Sequence, residues 1–480
     1  MKRAIATIGW LAFGVQASLG ADDLAPASII KLNLTAKVDT MPLYPGQETT
    51  VWRYVVSPLP PSAQKSHFPV IYVKKGQILD VTFKNGLSEP TSVHWHGLDV
   101  PASMDGHPAD AIKPGGTFRY RFVVPNRAGT YWFHPHPDQL TAEQAAAGLA
   151  GAIIVSDNEE QALTLPRAKR DQTLVIQDRY INGSNQFQYV SNPQGGFLGP
   201  HILVNDMRNA AMNVDTAVYR LRLLNGSNTR IYKLAWSNGM PVTVIGVDQG
   251  LLAAPVTRNY VMLSPGERVE VWADFRSLTV GGQVKLRSLA FTPGGPVSGF
   301  GLNQGAAFDI MAFNATTAVT DPITLPATLS TGVPNYTLAG ATNYANPRVI
   351  PFSLVNGTFQ MNGATFGMDE VAENEKPKLG EEQIWVFQNN ASLQMPHPLH
   401  LHGSGFRVLE RIQSGAFPTQ VASMQDGFLD EGLKDTTLVM PGETIKLVHK
   451  PLFYAGLFLY HCHNLAHEDS GMMRNYRVLP

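Results

Sequence analysis

The chain has 480 residues, 43 glycines, 34 prolines and one cysteine, and its 37 basic and 38 acidic side chains leave a formal net charge of −1. So even a balance, at a pI near 6.9, excludes the basic surface that nucleic acid or an anionic membrane would need and leaves small-molecule chemistry. The length exceeds one compact domain, and a lone cysteine excludes an intrachain disulfide.

Residues 1–21 read as an export signal: Lys2 and Arg3, an apolar run from Ala4 to about Ala17, then the small residues Ser18, Gly20 and Ala21. The run is shorter than the ~20 apolar residues of a membrane span. Cleavage after Gly20 or Ala21 is therefore expected, with no membrane span left. Lys2 and Arg3 are not a twin-arginine pair, so the chain is expected to cross unfolded, to load metal outside the cytoplasm, and to be periplasmic or secreted.

A weak threefold repeat follows. One recurring element is a strand running into an Asn-containing turn: ILDVTFKNGLSEPTSVHWHG (78–97), AVYRLRLLNGSNTRIYKLAW (217–236) and EQIWVFQNNASLQMPHPLHLHG (382–403). The other is a Pro-Gly turn opening a strand: KPGGTFRYRFVV (113–124), SPGERVEVWADF (264–275) and MPGETIKLVHK (440–450). Period-2 alternation in FRYRFVV, VTVIGV and TIKLVHK is the mark of half-buried strands. Long helical patterns are scarce, LTAEQAAAGLAG (140–151) being the clearest. Strands at short intervals, punctuated by Gly and Pro, predict an all-β chain of Greek-key β-sandwiches. The charged run after Val155 suggests a linker near 157–170, and a Thr, Pro and Ala-rich stretch over about 314–347 suggests a second. Where the outer repeats carry HWHG and HPLHLHG, the middle one has RIYKLAW, so it is expected to be a spacer that shapes the interface between its neighbours.

Chemistry is concentrated in four clusters: His94 and His96 in HWHG, His134 and His136 in FHPHP, His397, His400 and His402 in HPLHLHG, and the C-terminal run YHCHNLAHEDSGMM. That run holds His461, Cys462, His463, His467 and Met472. Ten of the 14 histidines fall in these clusters, leaving out only His67, His107, His201 and His449. A thiolate, imidazoles and a thioether are the donors of a blue-copper centre, which takes two imidazoles, one thiolate and a weak axial Met. If Cys462 ends a strand, its side chain points one way and those of His461 and His463 the other. An electron received at sulfur then has two adjacent imidazoles through which to leave. Each His-x-His pair, if extended, likewise aims both rings to one side.

These four motifs, in this order, resemble the copper-binding motifs of the multicopper oxidases, of the three-domain bacterial laccase-like and cuprous-oxidase type. The resemblance implies three cupredoxin-like domains, at 22–160, 170–315 and 345–480, and four copper ions. It implies a type 1 copper on His397, Cys462 and His467 with Met472 axial, Met472 rather than Met473 having the family's spacing from the cysteine. It implies a type 2 copper on His94 and His400, and paired type 3 coppers on His96, His134 and His463 on one side and His136, His402 and His461 on the other. With its histidines divided between the first and third domains, the cluster has to lie at their interface. Asp105 and Glu468 stand where the family places acidic residues that relay protons.

The resemblance further implies that O2 accepts the electrons, and that the donor is a phenol or aromatic amine or, as the alternative, Cu(I). The axial thioether is expected to make the type 1 site a milder oxidant than relatives lacking it. Periplasmic cuprous oxidases carry a Met-rich insertion in the third domain. Here the stretch 351–396 holds only Met361, Met368 and Met395, and Leu393 stands where the substrate Cu(I) site has an acid. A copper-free structural member or a copper carrier is a third reading, which the full set of ligands disfavours.

Overall fold

The computed structural model describes residues 28–58, 68–294 and 298–480; the expected export signal lies outside them. Strands make up 44% of the chain and helix 10%, in agreement with the all-β reading. Each repeat builds the same three-stranded core. Ile78–Asn85, Val218–Asn225 and Gln383–Asn389 run parallel to an earlier strand, respectively Ile29–Met41, Asp171–Arg179 and Arg348–Val355. Each also pairs antiparallel with the strand behind its Pro-Gly turn, Thr117–Val123, Arg268–Asp274 or Glu443–His449. Six sheets result, which chain order groups in pairs of four and three, seven and five, and five and four strands. Each pair encloses its own apolar core.

The asparagine that closes each repeated strand has a specific task. Asn85 Nδ2 donates to the carbonyls of Glu89 and Ile112 at 2.8 Å each. Asn225 Nδ2 donates to Arg230 and Leu263 at 2.7 and 2.9 Å, and Asn389 Nδ2 to Met395 and Val439 at 2.8 and 3.0 Å. All three side chains are buried. They satisfy carbonyls that the chain would otherwise strand as it leaves the sheet, immediately before the histidine-bearing segments of the first and third units.

One expectation is corrected. Of 140–151 only Thr141–Ala147 is helical, and Gly148, at φ 121°, ends it. Gly151–Ser156 is instead a strand between Val70–Lys74 and Gly129–Phe133. Completing that sheet overrides the helical propensity of the Ala-rich run. The short helix is anchored from the far end of the chain, because Asp469 accepts from the N–H groups of Thr141 and Ala142 at 3.0 and 2.8 Å. The 157–170 linker contains a short helix, Asn158–Ala162, capped by Asp157. Among the described residues no helix is long and apolar enough to cross a membrane.

Candidate metal centres

Cys462 is the last residue of the strand Gly456–Cys462, which pairs with His397–Leu401. Its Sγ lies 3.4 Å from His397 Nδ1 and 3.6 Å from His467 Nδ1, and those two nitrogens are 3.2 Å apart. Three donors each about 2.0–2.3 Å from a shared ion in one plane stand about 3.5–4 Å from each other, so this triangle has the size of a trigonal site. Met472 is tied in by its backbone: its carbonyl accepts from Cys462 N–H at 3.0 Å and its N–H donates to His467 C=O at 2.9 Å. It is buried in one apolar cluster with Cys462, Leu393 and Met395. Met473 starts the next strand opposite His461 and is not part of that cluster. Burial pushes the Cys462 thiol up, His397 well below the ordinary imidazole range and His467 down to about 3. The imidazoles are thus in their ligating form, and the thiol needs a cation beside it to ionise.

The other eight clustered histidines converge from all four motifs, every ring buried. His94 and His400 approach with their Nε2 atoms 3.3 Å apart. His461 Nε2 stands 3.3 Å from His136 Nε2 and 3.1 Å from His402 Nε2. His96 Nδ1 is 3.3 Å from His134 Nε2. The His463 ring centroid lies 5.0 and 5.2 Å from theirs, and neither of its nitrogens has a hydrogen-bond partner. HWHG and FHPHP are pinned together by backbone bonds of 2.9 and 3.2 Å between His94 and His134. Burial, reinforced by neighbouring imidazoles, holds His96, His134, His400 and His402 far below the ordinary range, and burial brings His136 and His463 to about 3. Neutral imidazole nitrogens turned towards one another in a dry site, with His463 unpartnered, call for cations between them, and imidazole is a donor that suits copper. His107 bonds Asn475 at 2.8 Å and, like His201 and His449, joins neither cluster; His67 lies outside the described residues.

Carboxylates orient these rings from behind, as ligating histidines require. The carbonyl of Asp105 accepts from His94 Nδ1 at 2.9 Å, and its Oδ2 lies 2.7 Å from His402 Nδ1. Glu468 lies 3.0 Å from His461 Nδ1 and 3.5 Å from His136 Nε2. Burial raises its pKa, but the adjacent His136 and His461 outweigh that and lower it. Those imidazoles are themselves driven to neutrality, so the buried anion is best matched by a cation that they share.

A third carboxylate, Asp435, has no counterpart in the sequence reading. Its carbonyl accepts from His400 Nδ1 at 2.8 Å and its Oδ1 takes His96 Nε2 at 3.0 Å. Asp435 thereby does for His400 and His96 what Asp105 does for His94 and His402, and it turns Nδ1 of His96, not Nε2, inwards. Its only sequence signal is an acid within GLKDTTLVM, which many surface loops share.

Asp435 is held by the middle unit. The Arg268 guanidinium donates to its two oxygens at 2.6 and 2.5 Å, and to the carbonyls of Thr130, Asp248 and Gly266 at 3.0, 2.8 and 3.0 Å. Gln249 Nε2 adds a bond to Asp435 at 2.7 Å. Gly266, in the SPGE turn at φ 85°, lies against the cluster: a Cβ there would stand 3.0 Å from His463 and 3.1 Å from His96. The unit expected to be a spacer therefore also closes over the histidines and supplies the countercharge behind them. It was missed because sequence reasoning looked for histidines there, and an arginine and a glycine carry the contact.

Residues 62–160 and 336–480 each match a family model described as multicopper oxidase. The chain is 31% identical over 421 residues to a laccase of Bacillus subtilis strain 168, covering 80% of this chain and 79% of that protein. It is 29% identical over 416 residues to multicopper oxidase mco of Staphylococcus haemolyticus, covering 85% and 81%. It superposes on the crystal structure of McoA multicopper oxidase from the hyperthermophile Aquifex aeolicus with a TM-score of 0.81 and 32% identity, over 96% of this chain and 100% of that one. By these matches, and by the order of its histidine motifs, the chain belongs to the multicopper oxidase family.

Proposed function

We propose that the chain takes electrons singly from phenols and aromatic amines at the Cys462 site and delivers them to dioxygen at the eight-histidine cluster. As a family member it is an oxidoreductase that uses O2 and four copper ions. In our reading His397, Cys462 and His467, with Met472 axial, hold the type 1 copper, and His94 and His400 the type 2. His96, His134 and His463 hold one type 3 copper and His136, His402 and His461 the other. Bound there, copper supplies one-electron storage, so that dioxygen is reduced to water without release of partly reduced species.

The observation that carries this reading is the covalent junction at Cys462. His461 and His463, one peptide bond away on either side, reach different halves of the cluster, His461 towards His136 and His402, His463 towards His96 and His134. Asp105 and Glu468 hold protons at its edge, at His402 Nδ1 and His461 Nδ1 respectively. Asp435, ion-paired with Arg268, is a positioning residue. The paired sheets support three domains at 22–160, 170–315 and 345–480. We read residues 1–21 as the export signal, which makes the protein periplasmic or secreted.

Cuprous oxidation is the second reading. Met395, two residues before His397, is buried in the Cys462 cluster, but Leu393 packs there too and supplies no anion for a metal ion. Loading the secreted protein with copper, counting the metal, and comparing oxygen uptake with a phenol, an aromatic amine and Cu(I) separates the two. Copper far below four per chain rejects the oxidase assignment, and uptake with Cu(I) alone replaces the phenol reading.

A further inference from the structure

The outer edge of His467 is already occupied. The ring is buried, and with Nδ1 turned towards Cys462 and His397 its Nε2 faces the middle unit, where the carbonyl oxygen of Gln194 lies 3.2 Å away. The Asn464 side-chain amide lies 3.0 Å from the same nitrogen. Gln194 sits on the connection between the strands Asp171–Arg179 and His201–Val204, which crosses the third unit as a strap.

The strap is seated by specific bonds. Asn192 Oδ1 accepts from Gly195 N–H at 2.9 Å, and the Asn192 carbonyl accepts from Gly196 N–H at 2.8 Å, making a tight Asn-Pro-Gln-Gly turn. Phe197 N–H donates to Thr229 Oγ1 at 2.9 Å, and Thr229 donates to Asn464 Oδ1 at 2.9 Å. Ser470 Oγ donates to the Pro193 carbonyl and Gln194 Nε2 to the Gly357 carbonyl, each at 3.4 Å. Gly196, at φ 76°, lies so close beneath that a Cβ would stand 2.4 Å from Thr229 and 2.8 Å from Asn464 Nδ2. Beside the strap a hollow of about 350 Å³, partly open to solvent, is lined by Gly195, Thr229, Met395, Pro396, Pro398 and Asn464. A donor entering it meets the strap before it meets the His467 ring.

We propose that this strap is a specificity element which takes the imidazole N–H that a donor would otherwise take. Donors then give their electron through the Gln194 peptide, without touching His467. The phenol loses one electron to the His467 site and its hydroxyl proton to water, because Nε2 keeps its own proton and the Gln194 carbonyl is engaged with it. The same hydrogen bond makes the imidazole a stronger donor, which favours oxidised copper and lowers the type 1 potential. The inference rests on reading His467 as a type 1 ligand.

The test uses the copper-loaded full chain with Gly196→Ala, whose Cβ lifts the strap off Thr229, and independently Asn192→Ala, which undoes the turn without a clash. Redox titration of the blue band should show the Cu(II)/Cu(I) equilibrium moved about tenfold towards Cu(I), a rise of about 59 mV for one electron. In copper-free protein, diethyl pyrocarbonate followed by peptide mapping should modify His467 in the variants and spare it in the native chain. kcat/KM for a bulky phenol should rise by about tenfold, the factor that accompanies a 1.4 kcal/mol gain. An unmoved potential in both variants, or equal labelling of His467 in native and variant chains, overturns the proposal. Absence of a blue band from the native protein overturns the type 1 assignment itself, which separates that failure from failure of the strap.

Discussion

Arg268→Met withdraws the guanidinium that the middle unit sets against Asp435 while filling much of the same volume with an apolar side chain. Two charged hydrogen bonds of 2.6 and 2.5 Å and three bonds to carbonyls are lost, all in a buried setting. Removing one partner of a buried pair costs about 3–5 kcal/mol, because the other charge is left uncompensated. Asp435 keeps bonds from Gln249 at 2.7 Å and Thr436 Oγ1 at 3.0 Å, and Asp248 keeps Lys434 at 3.2 Å, so the lower end, about 3 kcal/mol, is the expected loss. Adding Asp435→Asn removes the orphaned charge, and the double variant should recover about 2 kcal/mol relative to the sum of the single ones. Reversible urea unfolding of the copper-free chain gives these values, and metal counting reports whether His96 and His400 still hold their positions. A loss under about 1 kcal/mol for Arg268→Met, or strictly additive effects, would refute the claim that the middle unit compensates a buried charge at the cluster.

Cys462→Ser should abolish the blue absorption while leaving copper in the histidine cluster, read by absorption and metal content; a surviving blue band would show that another residue supplies the type 1 donor. Gly266→Ala should cost about 1–3 kcal/mol by overpacking against His463 and His96 and lower the copper content, so native metal content and native stability together would contradict the close approach. Acid should unfold the copper-free chain: His136, His463 and His467 lie near 3 when folded against an ordinary 6.5. The unfolded chain therefore binds protons that the folded one refuses, and stability is lost as the pH falls from 6.5 towards 3, at up to about 1.4 kcal/mol per pH unit for each histidine. Urea midpoints measured across that window should fall with pH, and a flat profile would mean that these rings are not buried in the neutral form.

The ten histidines, Cys462 and Met472 could be read before any fold was known, because metal chemistry requires scarce residue types at short spacings, and a strand's two-residue period turns His-x-His into two rings on one side. The threefold repeat was legible for a similar reason. Strand alternation, the closing asparagine and the Pro-Gly turn are all local, and each sheet core uses them in the same way. The Ala-rich run at 140–151 misled because its helical propensity is local too, whereas the strand it gives way to is decided by partners at 70–74 and 129–133.

Tertiary structure alone decided the surroundings of the metal sites. Asp435 meets His96 across 339 positions of chain, Arg268 reaches both from a unit with no copper motif, and Gly266 matters only because two rings lie against it. These are common residue types, and long-range convergence gives them their roles. Gln194 is the limiting case. The group that meets His467 is a backbone carbonyl, which every residue carries, so only the path of the folded chain determines which one caps the copper ligand.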